Sequence, residues 1–170
     1  MNLLKPNIYQ KDIFSINYND LKKKNIKNLL FDIDNTIVAG NLKTLDNKTI
    51  DLFNKLKEEN FNIYIITNAL KRRAIIFSKI LDVKTYHFSM KPSPRNYNKI
   101  LKENNLNIKE TAAIGDQIYT DVLGANKLGI LSILVDPVSK HEFIITKINR
   151  IKERKLIEKT KIITKGEYYE

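Results

Sequence analysis

The sequence contains no cysteine, no long apolar run and far fewer acidic than basic residues. Without cysteine the chain forms no disulfides and carries no thiol chemistry, which fits a reducing compartment. No apolar run approaches the roughly 20 residues needed to cross a bilayer. The N-terminus also lacks the charged-then-apolar pattern of a secretory signal. We therefore expect a cytoplasmic protein.

The deficit of acidic residues makes the chain strongly basic. There are 30 Lys and Arg residues against 19 Asp and Glu, which gives a net charge of +11. Such a surface favours anionic partners, namely nucleic acid, an anionic membrane face or a phosphorylated substrate. Composition alone is an alternative explanation, because Lys, Asn and Ile are abundant throughout the chain, as an AT-rich genome would produce.

Strand and helix patterns alternate through the 170 residues, of which 42% are hydrophobic. The predicted strands cover residues 29–34, 61–67, 83–88, 111–114 and 130–135. The predicted helices cover residues 46–59, 69–81, 94–104, 118–128 and 140–159. This alternation predicts an α/β fold with a parallel central sheet and helices on both faces. The length predicts one domain over residues 1–160, followed by a frayed tail over residues 161–170.

The segment before the first strand has apolar residues but no clean period. We expect residues 1–27 to form an extended lead-in that packs on the domain. A short helix is predicted between Asn17 and Lys24, with Asn19 or Asp20 as its cap. In the next helix, Asp46 is the expected cap.

The first predicted strand ends in two carboxylates, Asp32 and Asp34. Alternate side chains of a strand face the same way, so these two would project together at its carboxyl end. Two like charges side by side are costly unless a cation lies between them or one holds a proton. The pair therefore suits a hard divalent metal and a nucleophile–acid pair.

Further polar residues follow later strands. Thr67 with Asn68, and Asp116, fall at carboxyl ends of strands, where parallel sheets place their sites. Each also has a purely structural interpretation. Thr67 and Asn68 could cap the next helix, Asp116 and Asp121 could be favoured by a helix dipole, and Lys91 could be one more solvated lysine.

In order along the chain, these segments resemble the four motifs of the haloacid dehalogenase (HAD) phosphohydrolases. The matching segments are residues 32–36, 67–68, 91–92 and 115–121. Three further segments, residues 4–9, 123–126 and 146–154, are similar to the YqeG subfamily, which includes phosphatidylglycerophosphate phosphatases. The resemblance implies a three-layer Rossmann-like fold and a Mg²⁺-dependent phosphatase.

The same resemblance implies a role for each site residue. Asp32 would attack phosphorus to form an aspartyl-phosphate, while Asp34 would act as general acid and then base. Thr67, Asn68 and Lys91 would hold the phosphoryl group. Mg²⁺ would be held by the Asp32 carboxylate, the Asp34 backbone carbonyl and the Asp116 carboxylate. Asp121 would orient the metal shell or Lys91. Asn126 lies in residues 123–126, one of the segments similar to the YqeG subfamily, but the resemblance does not imply a role for it.

The spacing of the motifs predicts a site without a lid. Residues 36–67 hold a loop and one helix, and residues 68–91 hold one helix and a short strand, so neither gap is long enough for a cap domain. An open site needs its substrate or a partner to cover it. It therefore suits a phosphate presented by something large, such as a lipid head group, a protein or a nucleic-acid end.

The basic C-terminal helix, residues 140–159, is a candidate membrane-contact segment. Between Lys140 and Lys161 there are eight Lys and Arg against three Glu. Apolar residues at helical spacing predict a stripe that docks on the domain; they are Phe143, Ile144, Ile148 and Ile151. The basic face would point at anionic lipid, and it includes Lys147, Arg150, Arg154 and Lys155. The alternative is that these charges are only solvated.

The leading hypothesis is a phosphatase that converts phosphatidylglycerophosphate to phosphatidylglycerol, peripheral on the inner face of the membrane. One alternative keeps the chemistry and takes a soluble sugar or nucleotide phosphate. Another is a basic RNA- or ribosome-binding module with a vestigial site. No aromatic-rich basic platform for stacking bases is evident, so we do not expect a nucleic-acid partner. The sequence leaves open the oligomeric state and the choice between Mg²⁺ and Mn²⁺.

Overall fold

The computed structural model describes residues 2–139 and 144–170. The strands within these ranges are β1 (Ile8–Gln10), β2 (Asn28–Phe31), β3 (Asn62–Ile66), β4 (Lys84–Tyr86), β5 (Thr111–Gly115) and β6 (Leu131–Val135). The helices are α1 (Tyr18–Lys23), α2 (Asn47–Glu58), α3 (Lys71–Leu81), α4 (Arg95–Glu103), α5 (Leu123–Asn126) and α6 (Ile144–Thr160). A π-helical turn, Ile118–Val122, leads into α5.

The described strands form one parallel sheet in the order β1-β6-β5-β2-β3-β4. The predicted α/β fold with a parallel central sheet is confirmed. The central strand β2 lies between β5 and β3, and its carboxyl end therefore adjoins the carboxyl ends of both neighbours. The chemistry-bearing residues that follow these strands are brought to one edge.

Alternation along the strands explains why helices cover both faces. Leu29 and Phe31 face a core cluster that includes residues of α1, α2 and α3. Leu30 faces the opposite cluster with Tyr97 and Ile100 of α4. A parallel strand buried on both faces reads as a continuous apolar run, which is the pattern that β2 shows. The result is the predicted three-layer arrangement.

No cap domain is inserted among the described residues around the site. A loop and α2 connect β2 to β3, and α3 connects β3 to β4. Asp46 caps α2 as predicted, since its side chain accepts the N–H of Thr49 at 2.8 Å. For α1 the predicted cap is wrong. Asn17 takes that place and accepts the N–H of Asp20.

Both ends of the described chain pack on the sheet. The lead-in does so as predicted, and it contributes β1, which pairs with β6. The predicted frayed tail, residues 161–170, is wrong because Ile162 and Ile163 are buried in a cluster with Tyr9. Tyr9 and Tyr169 also exchange two main-chain hydrogen bonds of 2.8 Å each. The single-domain organisation of residues 1–160 stays a prediction.

The C-terminal helix docks through a different face from the one predicted. Ile148 and Ile151 are about half-exposed, while Glu153 is buried and Leu156 packs on the cluster beneath β1. The prediction that Ile148 and Ile151 dock on the domain is therefore wrong. Its other members, Phe143 and the side chain of Ile144, lie outside the described residues, as do Lys140 and the Lys147 side chain. No helix in the described ranges is both long and apolar enough to cross a membrane.

Candidate active site

Four loops at the carboxyl edge of the sheet supply the candidate site. Asp32 follows β2, Thr67 follows β3, Lys91 lies in the loop after β4, and Asp116 follows β5. They surround a cavity of about 430 Å³. Its lining residues are Asp32, Asp34, Thr67, Asn68, Ala69, Leu70, Arg73, Lys91, Gln117, Thr120 and Asn149.

Lys91 is the buried cation of the site. Its Nζ donates to Asp32 Oδ1 at 2.7 Å and to Asp121 Oδ1 at 2.6 Å. Burial alone would lower the pKa of Lys91, but the carboxylates of Asp121 and Asp32 outweigh it and hold the pKa above its ordinary value. Lys91 is therefore a fixed positive charge beside Asp32, and not a solvated lysine.

Three buried carboxylates lie together behind the pocket. Ligand oxygens of Asp32, Asp116 and Asp121 all lie within 4.8 Å of one another. Burial raises the pKa of Asp32 to about 7 and that of Asp116 to about 8, with Asp121 adding like-charge repulsion. Such a cluster favours either bound protons or a bound cation.

The donor set fits a hard divalent cation. Carboxylate oxygens are the ligands that Mg²⁺ prefers, and it needs few of them because it keeps waters. Among the charged groups described at the cluster, the four carboxylates of Asp32, Asp116, Asp121 and Glu153 contact the two cations Lys91 and Arg150. A dication would compensate the remaining negative charge. The Thr36 hydroxyl, which the sequence reasoning did not single out, donates to Asp116 Oδ1 at 3.2 Å.

Arg150 reaches the site from α6, which the sequence reasoning missed. Its guanidinium pairs with the Asp116 carboxylate, and its Nη1 donates to the Asp116 carbonyl at 2.5 Å. Glu153 holds the same guanidinium at 3.1 Å and also accepts the N–H of Tyr119 at 3.1 Å. The prediction that Arg150 lies on a lipid-facing side of the helix is wrong. The local sequence does not distinguish Arg150 from its basic neighbours, because it differs from them only in the face of α6 on which it lies.

Arg73 is a second residue that sequence reasoning missed. Its Nε donates to Asp34 Oδ1 at 2.6 Å, and its Nη1 and Nη2 donate to the carbonyls of Leu42 and Ala39. The Asp34 carboxylate is partly exposed at the pocket, so Arg73 fixes its orientation without sealing it from solvent. The sequence feature that could have indicated Arg73 is the run of basic residues at the start of α3, which begins four residues after Thr67.

The predicted phosphate-binding residues also line the pocket. The buried Thr67 hydroxyl accepts the N–H of Ala69 at 3.1 Å, which orients it. Asn68 uses its side-chain amide on the main chain of Lys91, accepting its N–H at 2.7 Å and donating to its carbonyl at 3.3 Å. Asn68 therefore positions the loop that carries Lys91.

Asp121 fits beside the sheet because residue 115 has no side chain. A Cβ on Gly115 would lie 2.2 Å from Cγ of Asp121, a separation that real atoms do not adopt. Asn126 lies apart from the site, since its amide donates to the carbonyls of Leu3 and Lys5. Asn126 anchors the N-terminal segment.

Comparison with known proteins identifies the class. A family model described as haloacid dehalogenase-like hydrolase matches residues 39–129, just over half the chain, in a range that begins after Asp32 and Asp34. The chain belongs to this family. The solved structure of a predicted HAD-like family hydrolase from Porphyromonas gingivalis superposes with a TM-score of 0.56 at 13% identity. It covers 75% of this chain and 98% of its own, which shows the shared fold.

Two curated relatives lie within the same class. The chain is 34% identical over 152 residues to a probable phosphatase, YqeG, from Bacillus subtilis, covering 89% of this chain and 88% of that protein. It is 22% identical over 157 residues to the chloroplastic/mitochondrial phosphatidylglycerophosphate phosphatase 1 of Arabidopsis thaliana, covering 86% of this chain and 45% of that protein. The chain is a HAD-type phosphatase, a phosphoric monoester hydrolase.

Proposed function

We propose that this phosphatase removes the terminal phosphate of phosphatidylglycerophosphate through an aspartyl-phosphate on Asp32. The observation that carries the mechanism is the buried Lys91–Asp32 pair at the pocket, 2.7 Å between Nζ and Oδ1. A carboxylate held beside a fixed cation can approach a phosphate dianion without the full cost of like-charge repulsion.

The proposed reaction has two steps. A carboxylate oxygen of Asp32 bonds to phosphorus while the ester bond to the glycerol oxygen breaks, and Asp34 donates a proton to that leaving oxygen. Asp34 then takes a proton from water, whose oxygen attacks phosphorus and frees Asp32 with release of phosphate. Thr67 and Lys91 line the pocket where the phosphoryl oxygens would lie. Arg73 would keep Asp34 aimed at the leaving oxygen.

A divalent ion, Mg²⁺ in this proposal, would be held by the carboxylates of Asp32 and Asp116 and by the Asp34 carbonyl. When bound it supplies positive charge against the phosphoryl oxygens. Asp121 accepts a hydrogen bond from the ammonium group of Lys91, and the guanidinium of Arg150 pairs with the carboxylate of Asp116. These two contacts keep the neighbouring groups in place through the reaction.

The lipid substrate is supported by three observations of different kinds. The site has no inserted lid among the described residues, so a large substrate has access. The net charge of +11 favours an anionic surface. The similarity to the Arabidopsis enzyme supports this particular phosphomonoester. In this proposal the protein is cytoplasmic and peripheral on the inner face of the membrane, with the basic helix α6 contributing to the contact.

The test is phosphate release from a substrate panel that contains phosphatidylglycerophosphate in micelles, sugar phosphates, nucleotides and a phosphoprotein. We expect the lipid to be preferred and EDTA to abolish turnover. Asp32→Asn should remove activity with little change in melting temperature, because the side-chain volume is nearly unchanged. Asp51→Asn, an exposed acid on α2, is the matched control and should retain activity. Turnover of the lipid that persists in Asp32→Asn would refute the mechanism.

The alternatives make different predictions in the same assays. A preference for small soluble esters over the lipid would favour the sugar or nucleotide phosphatase. Salt-sensitive RNA retention without turnover would favour the binding module.

A further inference from the structure

Several exposed apolar side chains lie on the segments that form the pocket, and the proposed chemistry does not use them. Five of them come from separate segments, and each is between 48% and 69% exposed. We call this set the apolar rim; it consists of Leu42, Leu70, Phe88, Val138 and Ile148. One exposed apolar residue is ordinary, but a group of them around one opening marks a contact surface.

Three members of the rim are tied to the side of the pocket formed by β2, β3 and β4. Leu70 lines the pocket itself. The Leu42 carbonyl accepts from Arg73 at 2.6 Å, and the same guanidinium holds Asp34. The N–H of Phe88 donates at 3.0 Å to the carbonyl of the residue before Leu70. These three residues therefore belong to segments that form one half of the opening.

The other two members stand on the opposite half. The N–H of Val138 donates to the Asn35 carbonyl at 2.9 Å. Asn35 is the residue directly after Asp34, at the end of β2 that carries the proposed catalytic carboxylates. Ile148 precedes Asn149, which lines the pocket from α6. The residues of the rim therefore belong to segments on both halves of the opening.

The opposite edge of the sheet, where the strands begin, has less exposed apolar residues. The exposed large apolar residues described near that edge are Ile108, Ile80 and Leu3, at 37%, 38% and 39% exposure. All three are less exposed than any member of the rim. The concentration of apolar tips therefore belongs to the side of the molecule that carries the site.

Basic residues stand among these apolar tips. The exposed ones on the same segments are Lys43, Lys71, Arg72 and Arg95. Lys43 lies on the loop after β2, while Lys71 and Arg72 begin α3 and Arg95 begins α4. Cations beside exposed apolar side chains fit the boundary between anionic head groups and acyl chains.

The described acidic residues at this edge do not offset those cations. The site carboxylates are buried, and Asp34 is paired with Arg73. Asp46 is engaged as the cap of α2. Asp136 accepts a hydrogen bond of 2.6 Å from Tyr9. Asp12, which follows β1, accepts the N–H groups of Phe14 and Ser15. The outer surface of the rim is therefore apolar and positive.

We propose that the apolar rim embeds in the head-group layer of an anionic phospholipid bilayer, so that the pocket opens directly onto the membrane. The assignment of this partner rests on the proposed lipid substrate, while the surface itself is defined by exposure and charge. Burying several apolar side chains adds a salt-resistant component to the attraction of the basic residues. The membrane would then cover a site that has no inserted lid.

The absence of tryptophan from the chain makes a direct test possible. Phe88→Trp introduces a single fluorescent reporter on the rim, and Ile108→Trp introduces one at the opposite edge. With vesicles of phosphatidylglycerol and phosphatidylcholine, we expect the first to shift to shorter wavelength and to be quenched by brominated lipid. The second should do neither. An unchanged spectrum at position 88, or equal shifts at both positions, would overturn the proposal.

A loss-of-contact variant tests the contribution of the rim. Leu42→Ser/Phe88→Asn should lower affinity for the same vesicles at least about tenfold. Asn is chosen at position 88 because Phe88 has a φ of +47°, a conformation that Asn tolerates. The control, Ile80→Gln/Ile108→Asn, replaces exposed isoleucines away from the rim and should bind as the parent does. Equal binding by both variants, or retention on RNA but not on vesicles, would overturn the proposal.

Two readouts separate this inference from the proposed function. Vesicle binding is measured without substrate lipid, so binding through the rim without hydrolysis of phosphatidylglycerophosphate would support the rim and refute that substrate. Hydrolysis of the lipid in micelles by a protein that does not bind vesicles would refute the rim. The single variant Phe88→Asn should hydrolyse a soluble phosphomonoester at the parent rate, because the Phe88 side chain does not line the pocket.

Discussion

Lys91 shows how a single residue links the stability of the site to its chemistry. Its ammonium group is almost fully buried and holds Asp32 and Asp121 at 2.7 and 2.6 Å. The three charged groups stabilise the fold only when all of them are present. Removing one leaves an uncompensated charge in a low-dielectric interior. The arrangement that prepares Asp32 for a phosphate dianion in the proposed mechanism is therefore also part of the core.

We expect Lys91→Met to lose turnover and to lower the free energy of unfolding by about 3–5 kcal/mol. The methionine fills much of the volume but leaves two buried carboxylates without their cation. Chemical denaturation measures the stability, and phosphate release measures the turnover. Lys99→Met, at a lysine whose side chain is 55% exposed, should change stability by no more than about 0.5 kcal/mol. Similar stabilities for the two variants would contradict the prediction.

At the scale of the elements, α6 contributes to the candidate active site as well as being a candidate membrane segment. Arg150 and Glu153 point inward, and together they connect the helix to the loop after β5. Burial raises the pKa of Glu153, and its contacts with Arg150 and the N–H of Tyr119 act against that rise. The inner face of α6 is thus fixed by charge and hydrogen bonds, while Ile148 and Ile151 remain outside.

Arg150→Ala should destabilise the metal-free protein by about 3 kcal/mol, because Asp116 would stay buried without a cationic partner. The loss should be smaller with excess Mg²⁺, since a cation at Asp116 would replace the missing charge. Melting curves with EDTA and with Mg²⁺ provide the comparison. Arg154→Ala, at an exposed position on the same helix, should have little effect under either condition. A loss at Arg150 that Mg²⁺ does not reduce would count against this interpretation.

The C-terminal segment after α6 is a second element with a defined structural contribution. Ile163 is 3% exposed and packs with Tyr9 of β1. Ile163→Ala should cost about 2–5 kcal/mol of unfolding free energy, as for other buried isoleucines. Ile108→Ala, at a 37% exposed position, should cost much less. If the two variants unfold alike, the packing of the tail on β1 is not significant in solution.

For the molecule as a whole, the acidic cluster couples global stability to pH. Burial raises the pKa of Asp32 to about 7 and that of Asp116 to about 8, from an ordinary value of 3.8. Between those limits the folded protein binds more protons than the unfolded chain. We therefore expect the stability of the metal-free protein to fall as the pH rises through that window.

Metal should oppose this fall. We expect the melting temperature measured in EDTA to decrease as the pH is raised from about 5 to about 8, and Mg²⁺ to stabilise the protein most at the upper end, where the carboxylates are ionised. Asp116→Asn removes one of the titrating groups and should flatten the EDTA profile. A Mg²⁺-induced shift that is the same at both ends of the pH range would contradict the proposed linkage.

The sequence by itself determined the fold class and the order of the site residues. Strand and helix periods are local properties, so they predicted the parallel sheet and placed Asp32, Thr67 and Asp116 at strand ends. The motif spacing also predicted the absence of a lid. These features depend on residues close together in the chain, and short-range patterns record them directly.

Only the tertiary structure decided which distant side chains complete the site and which surface the molecule presents. Arg150 and Arg73 reach Asp116 and Asp34 across 34 and 39 positions of sequence. Helical spacing shows that a face exists but not what it packs against. For that reason α6 turned Arg150 inward and left Ile148 exposed, the opposite of the expectation from hydrophobicity. The order of the tail likewise depends on β1, at the other end of the chain.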